Sequence, residues 1–221
     1  MVEVIGLLPA SGSASRLGGI PKFCLPLNDN QTILEWHIEK MLKVCDFVKI
    51  STRKAWLPIV NQMHLPSMVS IYEIEPSTMS DALLKMMTNP NSKYIIGMPD
   101  TYMPESDGEF YSQLAKSNSD VTLAAFNCHE DLMGRVGQIK FDEFGNIQDA
   151  LDKTLGCDYG YMWGAMSIQN INLNEKLSHP GIQIMDWVRD GKSVKAFIAK
   201  GRYLDIGTVN GLKMLYKEEI Y

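Results

Sequence analysis

The chain has 221 residues, 45% of them hydrophobic and 21% charged, which is the composition of a folded globular protein rather than a disordered segment. Its formal net charge is -5 and its Lys and Arg are scattered, so the basic footprint of a nucleic-acid binder is excluded. No apolar run approaches the ~20 residues of a membrane span, and the length suits a single domain over 1–221.

The four cysteines, Cys24, Cys45, Cys128 and Cys157, show neither C-x-x-C spacing nor a zinc pattern with histidine. They read as buried free thiols in a reducing cytoplasm. The N-terminus carries Glu3 and no basic residue ahead of a short apolar run, so it reads as a first strand rather than a signal peptide.

Taken in chain order, Val2 to Leu8 is a buried strand closed by a turn of small residues. Thr32 to Val44 is a helix, with Ile33, Leu34, Ile38, Met41 and Leu42 at helical spacing. Thr32 caps it, with Glu35 three residues on. Phe47 to Ser51 is a strand, Leu57 to Met63 a short helix, and Val69 to Ile74 a third strand. Met79 to Met87 is a helix stopped near Asn89-Pro90. Tyr94 to Met98 is apolar throughout and reads as a central strand. Phe110 to Ser117 is a helix and Val121 to Phe126 a fifth strand.

The pattern then changes. Gly137 to Phe141 and Asn146 to Ala150 read as a β-hairpin around Asp142-Glu-Phe-Gly145. Tyr159 to Ile168 is an apolar strand, Ile182 to Asp190 a helix, Val194 to Ala199 a strand, and Asn210 to Ile220 a closing helix. Regular alternation of strand and helix over the first ~125 residues predicts an α/β fold with a doubly wound, mostly parallel central sheet. The hairpin is an inserted layer.

The densest chemical signal follows the first strand: Leu8-Pro-Ala-Ser-Gly-Ser-Ala-Ser-Arg16, then Leu-Gly-Gly-Ile-Pro-Lys22. Small side chains at Pro9, Ala10, Ser11, Gly12 and Ser13 let backbone N–H groups approach an anion, the geometry of a phosphate nest. Arg16 can fork onto two phosphate oxygens and Lys22 can act as a point charge on one. The Gly-Lys-Ser/Thr of a P-loop is absent. A second signal is Ile95-Ile-Gly-Met-Pro-Asp100, a strand ending in an acid. Ligands in open α/β sheets bind beyond the carboxyl ends of strands. A carboxylate facing a triphosphate there needs a cation between them, and Mg²⁺ held by one or two carboxylates plus phosphate oxygens is the usual solution.

The loop from Leu8 to Lys22 resembles the opening signature of the sugar-phosphate nucleotidylyltransferase family, glucose-1-phosphate thymidylyltransferase-like. The likeness runs from Val4 to Leu215, although only the first and last motifs are specific. It implies a magnesium-dependent enzyme that couples a nucleoside triphosphate to a sugar 1-phosphate. In that family the aspartate at the place of Asp100 binds the metal and follows a glycine, where this chain has Pro99. Tyr203-Leu-Asp205-Ile-Gly207-Thr208 is similar to the family's Asp-x-Gly-Thr, which makes Asp205 the second metal ligand. Nothing in sequence alone brings these two carboxylates together.

The segment from Gly137 to Thr154 is similar to the family's middle region, with Asp152-Lys153-Thr154 where Glu-Lys-Pro is usual. The resemblance gives Asp152 to sugar hydroxyls and Lys153 to the sugar phosphate, with Gly137 in the same pocket. Trp163, in a strand like the family's Gly-Tyr strand, stacks on a sugar face in this reading, or is a plain core aromatic of an apolar strand. Glu75 stands in the family's base-reading loop. A carboxylate accepts hydrogen bonds only, so Glu75 suits the amine of cytosine or guanine. Ser80 belongs to the same loop, or caps the helix that follows. The four histidines receive no role.

Two alternatives stay open. Pro21-Lys22-Phe-Cys-Leu-Pro-Leu and Asn30-Gln-Thr-Ile-Leu-Glu35 resemble the cytidylyltransferases of polyol or isoprenoid-precursor phosphates. A catalytically inactive relative that senses nucleotide sugars is the other. Base, sugar and oligomeric state, a homo-oligomer included, are left open, and the length of 221 residues reads as that of a relative without a fused C-terminal hexapeptide-repeat acyltransferase.

Overall fold

The computed structural model describes residues 2–14, 17–170, 172 and 177–218. The elements run β1 (Val4–Pro9), β2 (Pro26–Asn28), β3 (Gln31–Thr32), α1 (Ile33–Leu42), β4 (Phe47–Thr52), α2 (Leu57–Val60), β5 (Val69–Glu73), α3 (Met79–Met86), β6 (Lys93–Ile96), β7 (Thr101–Tyr102), α4 (Glu109–Lys116), β8 (Val121–Asn127), β9 (Gly137–Phe141), β10 (Ile147–Asp152), β11 (Tyr161–Ile168), α5 (Pro180–Arg189), β12 (Val194–Ile198), β13 (Leu204–Asp205) and α6 (Val209–Glu218).

The molecule is a mixed α/β structure around a large, mostly parallel sheet. Strands β5, β4, β1 and β6 lie side by side and parallel. β11 comes next and runs antiparallel to β6. Along its other edge it pairs with β8, and β8 pairs in parallel with β12. The sequence pattern predicts the parallel frame. It does not foresee that β11, late in the chain, wedges between β6 and β8. The β9–β10 hairpin forms as expected and joins the N-terminal half of β11. Its turn is tied by Asp142, whose carboxylate accepts from the backbone N–H groups of Phe144 and Asn146.

Apolar side chains fill both faces of the sheet, as the uninterrupted strands β1, β6 and β8 require. Leu8, Ile95, Ala124 and Phe126 point to one face, with residues of α1 and α4. Ile5, Leu7, Tyr94, Ile96, Leu123 and Ala125 point to the other, with α3 and α5. The alternation along each strand is the two-residue period of a pleated sheet. All four cysteines are free thiols, three of them buried. Among the described residues no helix is long and apolar enough to cross a membrane.

The sheet order reverses beside β1. From β1 the chain moves to β4 and β5 on one side, and β6 returns on the other. A crevice opens at such a switch point beyond the carboxyl ends of the strands. The loops that leave β1 and β6 therefore face each other across it.

Helix α1 begins as its sequence predicts. The Thr32 side chain accepts from the Glu35 N–H at 3.3 Å, and the Glu35 carboxylate accepts from the Thr32 N–H at 2.8 Å. Thr32→Ala leaves helix N–H groups without this partner. It should cost about 1 kcal/mol and lower the thermal midpoint by about 2–4 °C. Thermal unfolding followed by circular dichroism measures it, and an unchanged midpoint would show that the cap carries no stability.

Candidate active site

A cleft of about 510 Å³ lies at the switch point. The strand order sets what faces it. The loop after β4 brings Arg53, the loop after β1 brings Pro9 to Ala14, and the loop after β6 brings Met98, Pro99 and Asp100. Beyond these, β11, β9 and β10 supply Trp163, Gly137, Asp152 and Lys153. Lys22 and Asp205 close the centre.

The centre is built by a two-residue ladder. β13 pairs antiparallel with β7, which sets Asp205 opposite Thr101 and Leu204 opposite Tyr102. The Ile206 N–H donates to the Asp100 carbonyl at 3.2 Å. Two acids more than a hundred residues apart in sequence thus sit side by side. The Lys22 ammonium donates to the Asp100 carboxylate at 3.0 Å. Gly207 leaves room for this group, since a β-carbon there would collide with both the Lys22 Nζ and the Asp205 carboxylate. The Gly207 N–H in turn donates to Asp205 Oδ1 at 2.8 Å, holding that carboxylate in place. Asp100 keeps 41% of its side chain exposed, against 17% for Lys22. The buried Tyr203 belongs to the core and also lines the cleft. Its burial, with the charges of Asp100 and Asp205, raises its pKa well above the usual phenol range.

Across the cleft, Asp152 lies under the start of α5. A β-carbon at Gly181 would reach its side chain at 3.0 Å, and the His179 ring stands 3.4 Å from its carboxylate. Lys153 follows in a left-handed backbone conformation, φ +48, uncommon outside glycine, which turns the chain out of β10. Gly137 allows the Trp163 indole to approach β9 closely, because a β-carbon would overlap its Nε1. That indole is almost fully buried, with Nε1 unpartnered among the described residues. Trp163 is thus mostly a core residue packed on β9, and it also lines the cleft.

Twelve residues singled out from sequence line this one cleft: Pro9, Ala10, Ser11, Gly12, Ser13, Lys22, Asp100, Gly137, Asp152, Lys153, Trp163 and Asp205. Arg16 lies outside the described residues. Glu75 and Ser80 are not among the lining residues. The Glu75 carboxylate pairs with Arg53 at 2.6 Å and accepts from the Lys54 N–H at 3.1 Å. Ser80 is buried and donates to the Ser178 carbonyl. It ties α3 to the segment before α5 and caps nothing. The cap of α3 is Thr78, paired with Asp81.

Sequence reasoning passed over Arg53, Arg135 and His179, all of which line the cleft. Arg53 immediately follows the carboxyl end of β4, where the strand-end rule applied to Asp100 would have found it. His179 carried no sequence signal.

His37 on α1 is a further omission. It is fully buried. Its Nε2 stands 2.9 Å from the Thr101 carbonyl, an acceptor, so Nε2 carries the proton. Nδ1 then accepts from the Tyr111 hydroxyl at 2.6 Å. The ring thereby pins the residue next to Asp100.

No protein-family model and no curated protein sequence matches the chain. Solved structures do. A UDP-glucose pyrophosphorylase complexed with UDP-glucose superposes with a TM-score of 0.81 at 15% identity, over 99% of this chain and 98% of that one. A putative glucose-1-phosphate thymidylyltransferase from Bacillus anthracis gives 0.81 at 13% identity, over 97% and 94%. An inositol-1-phosphate CTP transferase from T. maritima gives 0.72 at 14%, over 98% and 95%. The shared property is the fold, that of nucleotidyltransferases.

Burial holds His37 neutral, with its pKa lowered to about 4, and its hydrogen bonds offset only part of that effect. The unfolded ring takes up a proton near pH 6.5, before the folded one does. His37 therefore contributes stability in full above about pH 6.5 and loses it as pH falls toward 4. Wild type should lose about 3 kcal/mol more than His37→Gln between pH 7 and pH 4. Urea unfolding at the two pH values gives the difference, and equal losses would contradict this account.

Proposed function

We propose that the chain is a nucleotidylyltransferase that couples a nucleoside triphosphate to a sugar 1-phosphate, giving a nucleotide-sugar and pyrophosphate. The observation that carries this reading is the meeting of Lys22, Asp100 and Asp205 at the switch point, with Asp152 and Lys153 facing them.

The donor set fits a magnesium ion. Asp100 and Asp205 offer hard carboxylate oxygens, and Asp100 is open to the cleft. Among the described residues no group of three metal-ligating side chains gathers anywhere. Two carboxylates plus phosphate oxygens is the coordination Mg²⁺ accepts, and the two acids bring none of the nitrogen or sulfur donors typical of zinc sites. When bound, the ion supplies charge neutralisation at the phosphates.

Phosphorus transfer needs positioning and charge stabilisation more than a covalent catalyst. In this reading an oxygen of the sugar phosphate attacks the α-phosphorus in line. The new O–P bond forms as the bond from the α-phosphorus to the bridging oxygen breaks, and its electron pair leaves with pyrophosphate. Lys22, fixed by Asp100, offsets charge on the α-phosphate. Arg16 serves the leaving group, and the backbone from Pro9 to Ser13 cradles the phosphates. Asp152 accepts from sugar hydroxyls, while Lys153 and the newly found Arg135 hold the sugar phosphate. Gly137 makes room for Trp163, and the two line the sugar end of the cleft together.

Pyrophosphate release measured across four nucleoside triphosphates and several sugar 1-phosphates tests the reading. Release is expected with at least one pair and only with a divalent cation. Lys22→Ala should reduce turnover by about a hundredfold or more, with the fold intact. Release only with CTP and a polyol phosphate would favour a cytidylyltransferase, and no release with any pair would favour an inactive nucleotide-sugar sensor.

A further inference from the structure

We infer that Arg53 reads the nucleobase, and that it selects bases with a carbonyl at the outer edge (uracil, thymine or guanine) over those with an amine there. The inference rests on the nucleotidyl-transfer reading and deepens it. It also reverses the preference expected from Glu75 alone.

The guanidinium is held from two sides. Its Nε donates to the Ser11 carbonyl at 2.7 Å, and Nη1 donates to the Glu75 carboxylate at 2.6 Å. Glu75 is itself fixed by the Lys54 N–H. Arg53 has five N–H donors and no acceptor. Nη2 has no partner among the described residues, and the side chain lines the cleft. What lines the cleft here is therefore a donor held in place, while the acceptor, Glu75, is engaged by Arg53 and the Lys54 N–H and is not part of the lining.

The charges indicate a base rather than a phosphate at this wall. Arg53 is neutralised by Glu75. The start of α3, which continues the wall through Pro76, Ser77, Thr78 and Met79, is already satisfied by Asp81. The formal charge here cancels or is negative, a poor setting for a polyphosphate. By contrast Lys22, Arg135 and Lys153 lie toward the centre and the far end. The same wall carries flat or soft apolar groups suited to an aromatic ring. Pro76 and Met79 are there, as is Trp56, braced edge-on against Phe23 at 5.8 Å. In strand order Arg53 follows β4, one strand beyond the β1 loop and two beyond Asp100. A nucleotide whose α-phosphate sits at Lys22 would extend its base that way.

A donor pointed at a base edge gains a hydrogen bond from O4 of uracil or O6 of guanine. It faces a second donor, left unpaired, at N4 of cytosine or N6 of adenine. The test is calorimetric binding of UTP, CTP, GTP and ATP with Mg²⁺ to the wild-type chain, Arg53→Ala and Arg53→Lys. Within the size class that binds, the carbonyl-bearing base should bind about tenfold tighter or more. Both variants should bring that ratio close to one while still binding the triphosphate. The lysine variant guards against a loop that collapses when Ser11 loses its partner. Equal or tighter binding of CTP over UTP, or of ATP over GTP where only purines bind, would overturn the assignment and leave the nucleotide reading standing. A uniform loss across all the nucleotides in the variants, with the ratio unchanged, would make Arg53 a phosphate ligand instead. If none of the four binds wild type, the nucleotide reading itself fails, and this assignment with it.

Discussion

A backbone ladder of two residues a side holds the candidate site together. Where β13 meets β7, Asp205 is brought beside Thr101 and hence beside Asp100. Neither strand is long enough to form alone, because loop closure over so many residues is not repaid by so few hydrogen bonds. The ladder persists because both segments are anchored elsewhere. Thr101 is tied through His37 to Tyr111, under α1 and α4. Leu204 and Ile206, on either side of Asp205, are buried in the core with Tyr203. Burial of apolar neighbours thus supports a polar, partly exposed pair of acids.

The larger sheet supplies direction. Parallel strands end on one edge, and the reversal of order beside β1 leaves a crevice there. Each strand that borders it delivers one component: a donor after β4, a small-residue loop after β1, an acid after β6. The antiparallel β11 and the hairpin beside it carry the opposite wall. The insertion of β11 between β6 and β8 has a functional consequence, since it brings Trp163 and, through β9, Gly137 and Asp152 to the same crevice.

Much of this was legible in the sequence, for physical reasons. The long strands and helices carry strong periodicity and clear stop signals, and their predicted and observed ranges differ mainly at the ends, as with Leu57–Val60, shorter than the Leu57 to Met63 expected. Local chemistry was legible too: the Thr32 cap, the Asp142 turn and the Pro9 to Ser13 loop depend on neighbours in sequence. What escaped depends on neighbours in space. β7 and β13 are too short to show a period. The wedging of β11 is a matter of long-range pairing. Glu75 looked like an exposed acceptor, and nothing local indicated that Arg53, over twenty residues earlier, would occupy it. His37 resembles any helix residue until Thr101 and Tyr111 close around it.

The central claim is that Asp100 and Asp205 act as one cation site that forms with nucleotide at the switch point. Electron paramagnetic resonance of Mn²⁺ titrated into the protein with UTP or GTP measures this directly, in the wild-type chain and in Asp100→Asn and Asp205→Asn. The account predicts a bound-manganese signal from wild type that either substitution removes or weakens by about tenfold or more. Undiminished binding in both variants would contradict it.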